Sequence, residues 1–216
     1  MSRPPPKDEA TRAKLLHAAT SVFAEVGYDS ATIRQICARA EVNVAAVNYH
    51  FGDKLGLYAE VLKHATGPDY QLKVRSAVRA TPQPEEALRV FVRGMFDKVY
   101  GDKPEANLRI MTREIVNPTP AFDTVVEETI RPTYKQLCEI IGQIIGHPAP
   151  AEITRLCVYS FMGQVIHYFY GRELIARLSP TLDIAKERYR IADHIVDFTL
   201  AGLRATTKPA ASRKRK

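Results

Sequence analysis

No apolar run in this 216-residue chain approaches membrane-spanning length, and the opening MSRPPPKDEATRAK lacks the apolar core of a secretory leader. Cysteine is scarce. Cys37, Cys138 and Cys157 stand far apart within helical patterns, so neither a disulfide framework nor a CxxC metal pair is written into the chain, and buried thiols are expected. The histidines show no HExxH or HxH spacing, and Glu60 with His64, one helical turn apart, is a lone pair. No GxSxG elbow, Walker run or Gly-rich phosphate loop occurs, and no nucleophile stands beside an evident base. Strand-like alternation never exceeds a few residues, and nothing repeats. These absences speak against a metal site, a cofactor and enzyme activity. They leave an all-α protein whose expected compartment is the cytoplasm.

Apolar residues make up 45% of the chain, enough for a substantial core, and the formal charge is +7. That charge is unevenly spread. Met1 to Thr66 carries eight Lys/Arg against seven Asp/Glu, whereas Lys208, Arg213, Lys214, Arg215 and Lys216 alone add five positive charges. Residues 207–216 read as a disordered, solvated basic tail, with non-specific attraction to phosphates as the functional alternative.

The most informative stretch is Thr32 to Lys54, TIRQICARAEVNVAAVNYHFGDK. Thr32 and Gln35 have capping-box spacing, and Ile33, Ile36, Cys37 and Ala40 then recur at helical intervals. Glu41-Val42 makes a turn, Asn43 caps a helix over about Val44–His50, Val47 points inward and Phe51 closes the segment. Val44, Ala45, Ala46, Asn48, Tyr49 and His50 are left largely outside. Small residues with an amide, a phenol and an imidazole suit a DNA major groove better than a core. A helix-turn-helix motif over about 32–51 follows. Helix one, about Asp8–Val26, supplies the inner stripe Leu15, Ala18, Ala19, Val22 and Phe23 and stops at Gly27; Asp53 caps a fourth helix, Lys54 to about His64, with Leu55, Tyr58, Val61 and Leu62 facing in.

Residues from about Ala10 to Lys63 resemble the N-terminal domain of TetR-family transcriptional regulators, through Gly27-Tyr28, Ala31-Thr32 and the run Val42 to Lys54. The variant Asn43-Val44-Ala45-Ala46-Val47 is similar to the CecR-like branch of that family. The chain departs from the family pattern at Glu41, where most members have Gly, and at Asn48, where many have Tyr. Glu41 thus brings a side chain to a turn that wants positive φ, and Asn48 shifts the expected phosphate contact toward Tyr49. The resemblance implies an all-α fold, with a helix-turn-helix DNA-binding domain at 8–67 and a larger ligand-binding and dimerisation domain at 68–206. Operator DNA would be met by Thr32, Arg34, Asn43, Val44, Ala45, Ala46, Asn48, Tyr49, His50 and Lys54, the lysine on the DNA backbone.

The second half reads as helices at about 70–80, 84–100, 105–116, 121–146, 151–177 and 182–205, with Pro132 predicting a kink or split. In 151–170, Leu156, Cys157, Phe161 and Val165 line one face and Tyr159, Met162, Ile166 and Phe169 another, so both need covering. The last helix offers Ile184, Ile191, Ala192, Ile195, Val196 and Leu203. The two are either central core helices or, as the resemblance implies, a homodimer interface using Tyr159, Phe161, Met162, Ile166, Ile191 and Ile195. The segment LRIMTREIVNPTPAF places Arg109, Arg113 and Glu114 among apolar residues. With Phe96, Tyr100, Tyr134, His167 and Tyr168 they are candidates for the small-molecule effector pocket that the resemblance implies; the plain alternative is that Arg113 pairs with a carboxylate and the rings are packing. The expected function is a DNA-binding regulator, a repressor released from its operator by an effector. A helical interaction protein and an all-α enzyme are the alternatives.

Overall fold

The computed structural model describes residues 7–101, 105–147, 149 and 151–206; residues 1–6 of the Pro-rich start and the basic tail 207–216 lie outside them. Twelve α-helices are found among the described residues, with no strand: α1 (Lys7–Ser30), α2 (Ile33–Ala40), α3 (Val44–Phe51), α4 (Lys54–Thr66), α5 (Pro68–Arg79), α6 (Pro84–Tyr100), α7 (Glu105–Val116), α8 (Ala121–Val125), α9 (Arg131–Ile145), α10 (Glu152–Tyr170), α11 (Arg172–Leu178) and α12 (Arg188–Thr206). None is long and apolar enough to cross a membrane.

The chain divides into two compact units, Met1–Pro68 with Pro104–Ile130, and Asp69–Lys103 with Arg131–Lys216. This differs from the 67/68 boundary expected from the sequence, because α7 and α8 join the first unit. Ile110, Ala121 and Val125 belong to the same apolar cluster as Leu15, Val22 and Phe23 of α1, Ile36 of α2, Val47 of α3 and Val61 of α4. A side chain such as Ile110, 1% exposed, is worth roughly 1.5–3 kcal/mol buried. Ile110 and Val125, with a smaller share from Ala121, tie α7 and α8 to the helices before α5.

Local chemistry sets the breaks. Gly27 has φ 81, a left-handed value, and α1 is interrupted there before running on to Ser30. α4 buries Leu57, Tyr58, Val61, Leu62 and Ala65, so Leu57 takes the inner position expected of Leu55, which is half-buried. The helix expected over 121–146 comes in three parts, α8, a π-helical turn at Val126–Ile130, and α9. Pro132, one residue into α9, supplies no N–H and its ring would clash with the carbonyl four residues back, so the backbone widens just before it. Gly171 splits the expected 151–177 helix into α10 and α11.

In the second unit α6, α9, α10 and α12 bury Leu88, Phe91, Phe96, Leu137, Ile141, Val158, Phe161, Val165, Ile195 and Val196. At the edge of this core Arg93 holds Asp193 through two hydrogen bonds of 2.9 and 2.7 Å, and Arg188 reaches Asp97 at 2.8 Å, fastening α12 to α6. The Arg93 guanidinium keeps the Asp193 carboxyl below the ordinary range.

Candidate nucleic-acid interface

α2 begins with the expected capping box. The Gln35 N–H donates to Thr32 Oγ1 at 3.2 Å, and the Thr32 N–H donates back to Gln35 Oε1 at 2.9 Å. The Thr32 hydroxyl also reaches Gln35 Oε1, at 2.9 Å, so its primary task is to start the helix. Glu41 ends α2 at φ 55, ψ 45, the left-handed conformation that a Gly would take without a Cβ penalty. Replacing Glu41 by Gly is therefore expected to stabilise the protein by roughly 0.5–1 kcal/mol without altering DNA affinity, a shift readable in a urea melt.

Asn43 caps α3, its side-chain oxygen accepting from the Ala45 N–H at 2.9 Å. Val47 is fully buried and anchors the helix. At about 100° per residue, Ala45 and Tyr49 lie farthest from Val47, while Ala46 and His50 flank it. Val44 and Asn48 take the same offsets on the other flank, and that flank is the one left exposed. Asn43, Val44, Ala45, Asn48 and Tyr49 are exposed, Tyr49 at 76%. Two expected outward residues are corrected. Ala46 is half-buried and packs on the core cluster, and the His50 side chain is only 8% exposed, with Nε2 3.5 Å from Asp8 Oδ1. His50 joins α3 to the start of α1 instead of standing clear.

Arg34 is exposed on α2 and has no partner among the described residues. Lys54 is half-buried. Its ammonium donates to the Asp29 carbonyl at 3.2 Å and sits 4.5 Å from the centre of the Tyr28 ring, a cation–π contact. One donor is used and the ammonium has three, so Lys54 can still offer N–H groups to an anion at the start of α4. Tyr28 and Asp29 lie 26 and 25 residues before Lys54, and no local pattern marked their part in holding it.

The effector candidates separate. Arg109, Arg113 and Glu114 belong to the first unit, and Phe96, Tyr100, Tyr134, His167 and Tyr168 to the second. Arg109 forms an exposed pair with Glu105 one turn back. Arg113 does not pair with Glu114. It donates to the carbonyls of Phe23 at 2.9 Å and Glu25 at 3.2 Å, groups left near the end of α1 by the break at Gly27. Glu114, 1% exposed, accepts from the Tyr58 hydroxyl at 2.7 Å and from Thr119 N–H and Oγ1 at 3.1 and 3.2 Å. Both residues are spoken for by the first unit's own architecture. In the second unit Phe96 is fully buried against Tyr100, Tyr168 and Phe169. The Tyr100 hydroxyl donates to the Tyr168 carbonyl, and burial pushes its pKa up to about 12. Tyr134 stacks on Tyr159 with ring centres 5.9 Å apart, and His167 is exposed beside the Tyr168 ring.

The expected interface residues also divide. Phe161, Ile191 and Ile195 are buried in the second unit's own core and are corrected: Phe161 packs on Phe91. Tyr159 is 62% exposed, and Met162 and Ile166 are half-buried. On α10 the inward stripe is Thr154, Cys157, Val158, Phe161, Val165 and Phe169, so Leu156, 54% exposed, parts from the face it was grouped with and Phe169 joins it. The sequence reading passed over Phe198, 63% exposed on α12, and Gly163 and Gly202, each with open space where a Cβ would stand.

Comparison with known proteins matches two family models. "Bacterial regulatory proteins, tetR family" covers residues 15–61, and "HTH-type transcriptional dual regulator CecR, C-terminal domain" covers residues 84–203. The HTH-type transcriptional dual regulator CecR of Shigella flexneri is 28% identical over 211 residues, covering 91% of this chain and 94% of its own. Two solved structures share the fold. The fatty acid degradation regulator FadR of Bacillus halodurans has a TM-score of 0.69 at 18% identity, covering 94% of this chain and 99% of its own. FadR of Bacillus subtilis in complex with stearoyl-CoA has a TM-score of 0.68 at 16% identity, covering 88% and 98%.

Proposed function

We propose, from the premise that this chain belongs to the TetR family of bacterial regulatory proteins and carries a CecR-type C-terminal domain, that it is a dimeric repressor released by a small-molecule effector. As a member of that family it is a DNA-binding transcriptional regulator. What remains to be assigned is how its own residues do this.

The carrying observation is the outward side of α3. Tyr49, Ala45 and Asn48 are exposed on a helix whose opposite side is pinned by Val47. In our reading α3 enters the major groove, small Ala45 allows close approach, and Asn48 and Tyr49 reach base edges. Arg34 and Lys54 bear on phosphates and set the register without reading sequence. Two such heads would bind half-sites about 34–36 Å apart. A protein that acts on operator DNA is expected to work in the cytoplasm.

A dimer is supported by the exposed apolar side shared by α10 and α12, argued below. An effector is supported by a protein of the same fold solved with stearoyl-CoA. A ligand acts here only through unequal affinity for two shapes of the dimer, and moving the population from 99:1 to 1:99 requires about 5.5 kcal/mol of that difference.

The test is a gel shift with DNA from upstream of the protein's own gene. Tyr49→Ala is expected to weaken binding by about 1–3 kcal/mol and change sequence preference, and Lys54→Ala to weaken all sequences alike and lower the salt slope by about one. Unchanged affinity in both variants would remove α3 as the reading helix.

A further inference from the structure

We propose that the seam between α5 and α9 in the second unit is the polar end of the effector site, and that its ligand is an apolar carboxylic acid carrying a hydroxyl near the carboxylate. The proposal rests on the effector reading above and adds the ligand's chemistry.

The inward side of α9 repeats at helical spacing through Thr133, Gln136, Leu137 and Ile140. Leu137 and Ile140 are 1% and 6% exposed, and beside them Gln136 brings a primary amide to 5% exposure. Its Nε2 donates to the backbone carbonyl of Arg75 on α5 at 3.0 Å. A carbonyl can only accept, so this contact fixes which way the amide faces. Gln136 Oε1 is thereby turned away from it, buried and without a hydrogen bond. Arg75 Nε is likewise buried with no acceptor, and no ion pair joins Arg75 to a described carboxylate.

α5 is seated on both sides of this place. The Tyr70 hydroxyl donates to the Gly94 carbonyl of α6 at 3.0 Å, and a Cβ at Gly94 would come within 2.7 Å of Val74. One turn before Gln136, Thr133 Oγ1 donates to Gln71 at 3.2 Å. Among the buried side-chain nitrogens and oxygens of the described residues, the mismatch is confined to this one donor and one acceptor. Leaving such atoms buried and unpaired is costly, and an apolar wall with a few convergent polar atoms is the usual form of a small-molecule site.

The two atoms define the ligand by complement. A guanidinium N–H without a carboxylate takes an anionic acceptor, for which the planar fork of arginine is suited. An amide oxygen takes an O–H or N–H. A 3-hydroxy acid offers both, its hydroxyl two carbons from the carboxylate carbon, and its hydrocarbon body suits the apolar side chains of Leu137, Ile140 and Val78.

The experiment uses the full chain with 3-hydroxyoctanoate and octanoate, followed by thermal shift and by release of upstream DNA in a gel shift. The hydroxy acid is expected to raise the melting temperature and release DNA, with octanoate at least tenfold weaker. Gln136→Leu is expected to keep its DNA affinity, melt no lower than the parent without ligand, and bind the two acids equally. Gln136→Glu, which sets a carboxylate beside Arg75, is expected to bind neither. If the parent binds DNA but neither acid shifts its melting, or if both variants bind 3-hydroxyoctanoate like the parent, the two atoms serve only bound water and the proposal falls. Failure of the ligand-free parent to bind upstream DNA would instead overturn the regulatory reading.

Discussion

Replacing Glu114 by alanine is expected to remove about 3 kcal/mol of stability, the sum of a small cavity and a buried phenol left without its acceptor. Glu114 is 1% exposed and receives three hydrogen bonds, from Tyr58 of α4 and from both the N–H and hydroxyl of Thr119. Burial, reinforced by the carboxylate, pushes the Tyr58 phenol far above its ordinary pKa, so it stays a donor at any working pH. Tyr58→Phe should cost less, about 1–2 kcal/mol, because two donors remain on the carboxylate. The double variant should lose at least about 0.5 kcal/mol less than the sum, since the two side chains share one bond. Urea melts of the four proteins read all three quantities. Arg113→Ala should cost only about 1 kcal/mol, since its guanidinium is exposed and the freed carbonyls of Phe23 and Glu25 can turn to water. A Glu114→Ala loss under about 1 kcal/mol would mean that α4 and α7 are held together by apolar contact alone.

Phe198→Asp is expected to abolish the proposed dimer while leaving the subunit folded. Phe198 is 63% exposed on α12, and Leu156 and Tyr159 are 54% and 62% exposed on α10. The two helices lie side by side, with Gln164 of α10 donating to Thr199 of α12 at 3.2 Å. Gly163 and Gly202 add places where a second backbone can come close. Large exposed apolar groups around small residues mark an association surface. In a two-fold interface any substitution appears twice, and desolvating two aspartates should weaken dimerisation by at least about 100-fold, or about 2.7 kcal/mol. Operator affinity should fall with it, since one head makes half the contacts. Phe161→Asp is the contrast: it is fully buried against Phe91 and should unfold the subunit. Sedimentation velocity and a thermal melt separate the two outcomes. A Phe198→Asp protein that remains dimeric at micromolar concentration would move the interface elsewhere.

Local sequence was enough to determine the all-helical class, the bounds of α6 and α7, the capping box at Thr32 and Gln35, the turn at Glu41-Val42 and the inward position of Val47, while the left-handed conformation of Glu41 was implied by the family resemblance. Each depends on neighbours within about four residues, the range over which caps, turns and helical periodicity act. The disturbance at Pro132 was legible for the same reason, since a missing N–H and a ring clash are properties of the residue itself. Tertiary structure alone decided what lay beyond that range. It turned His50 toward Asp8 and Lys54 toward Tyr28 and Asp29, and it sent Arg113 and Glu114 to α1 and α4, which no spacing in LRIMTREIVNPTPAF announces. On α10 a helix apolar nearly all round says that two sides need covering without saying which side meets its own core. The phase was set only when Phe161 met Phe91, leaving Leu156 and Tyr159 outside, because equal hydrophobicity on two faces gives periodicity nothing to choose between.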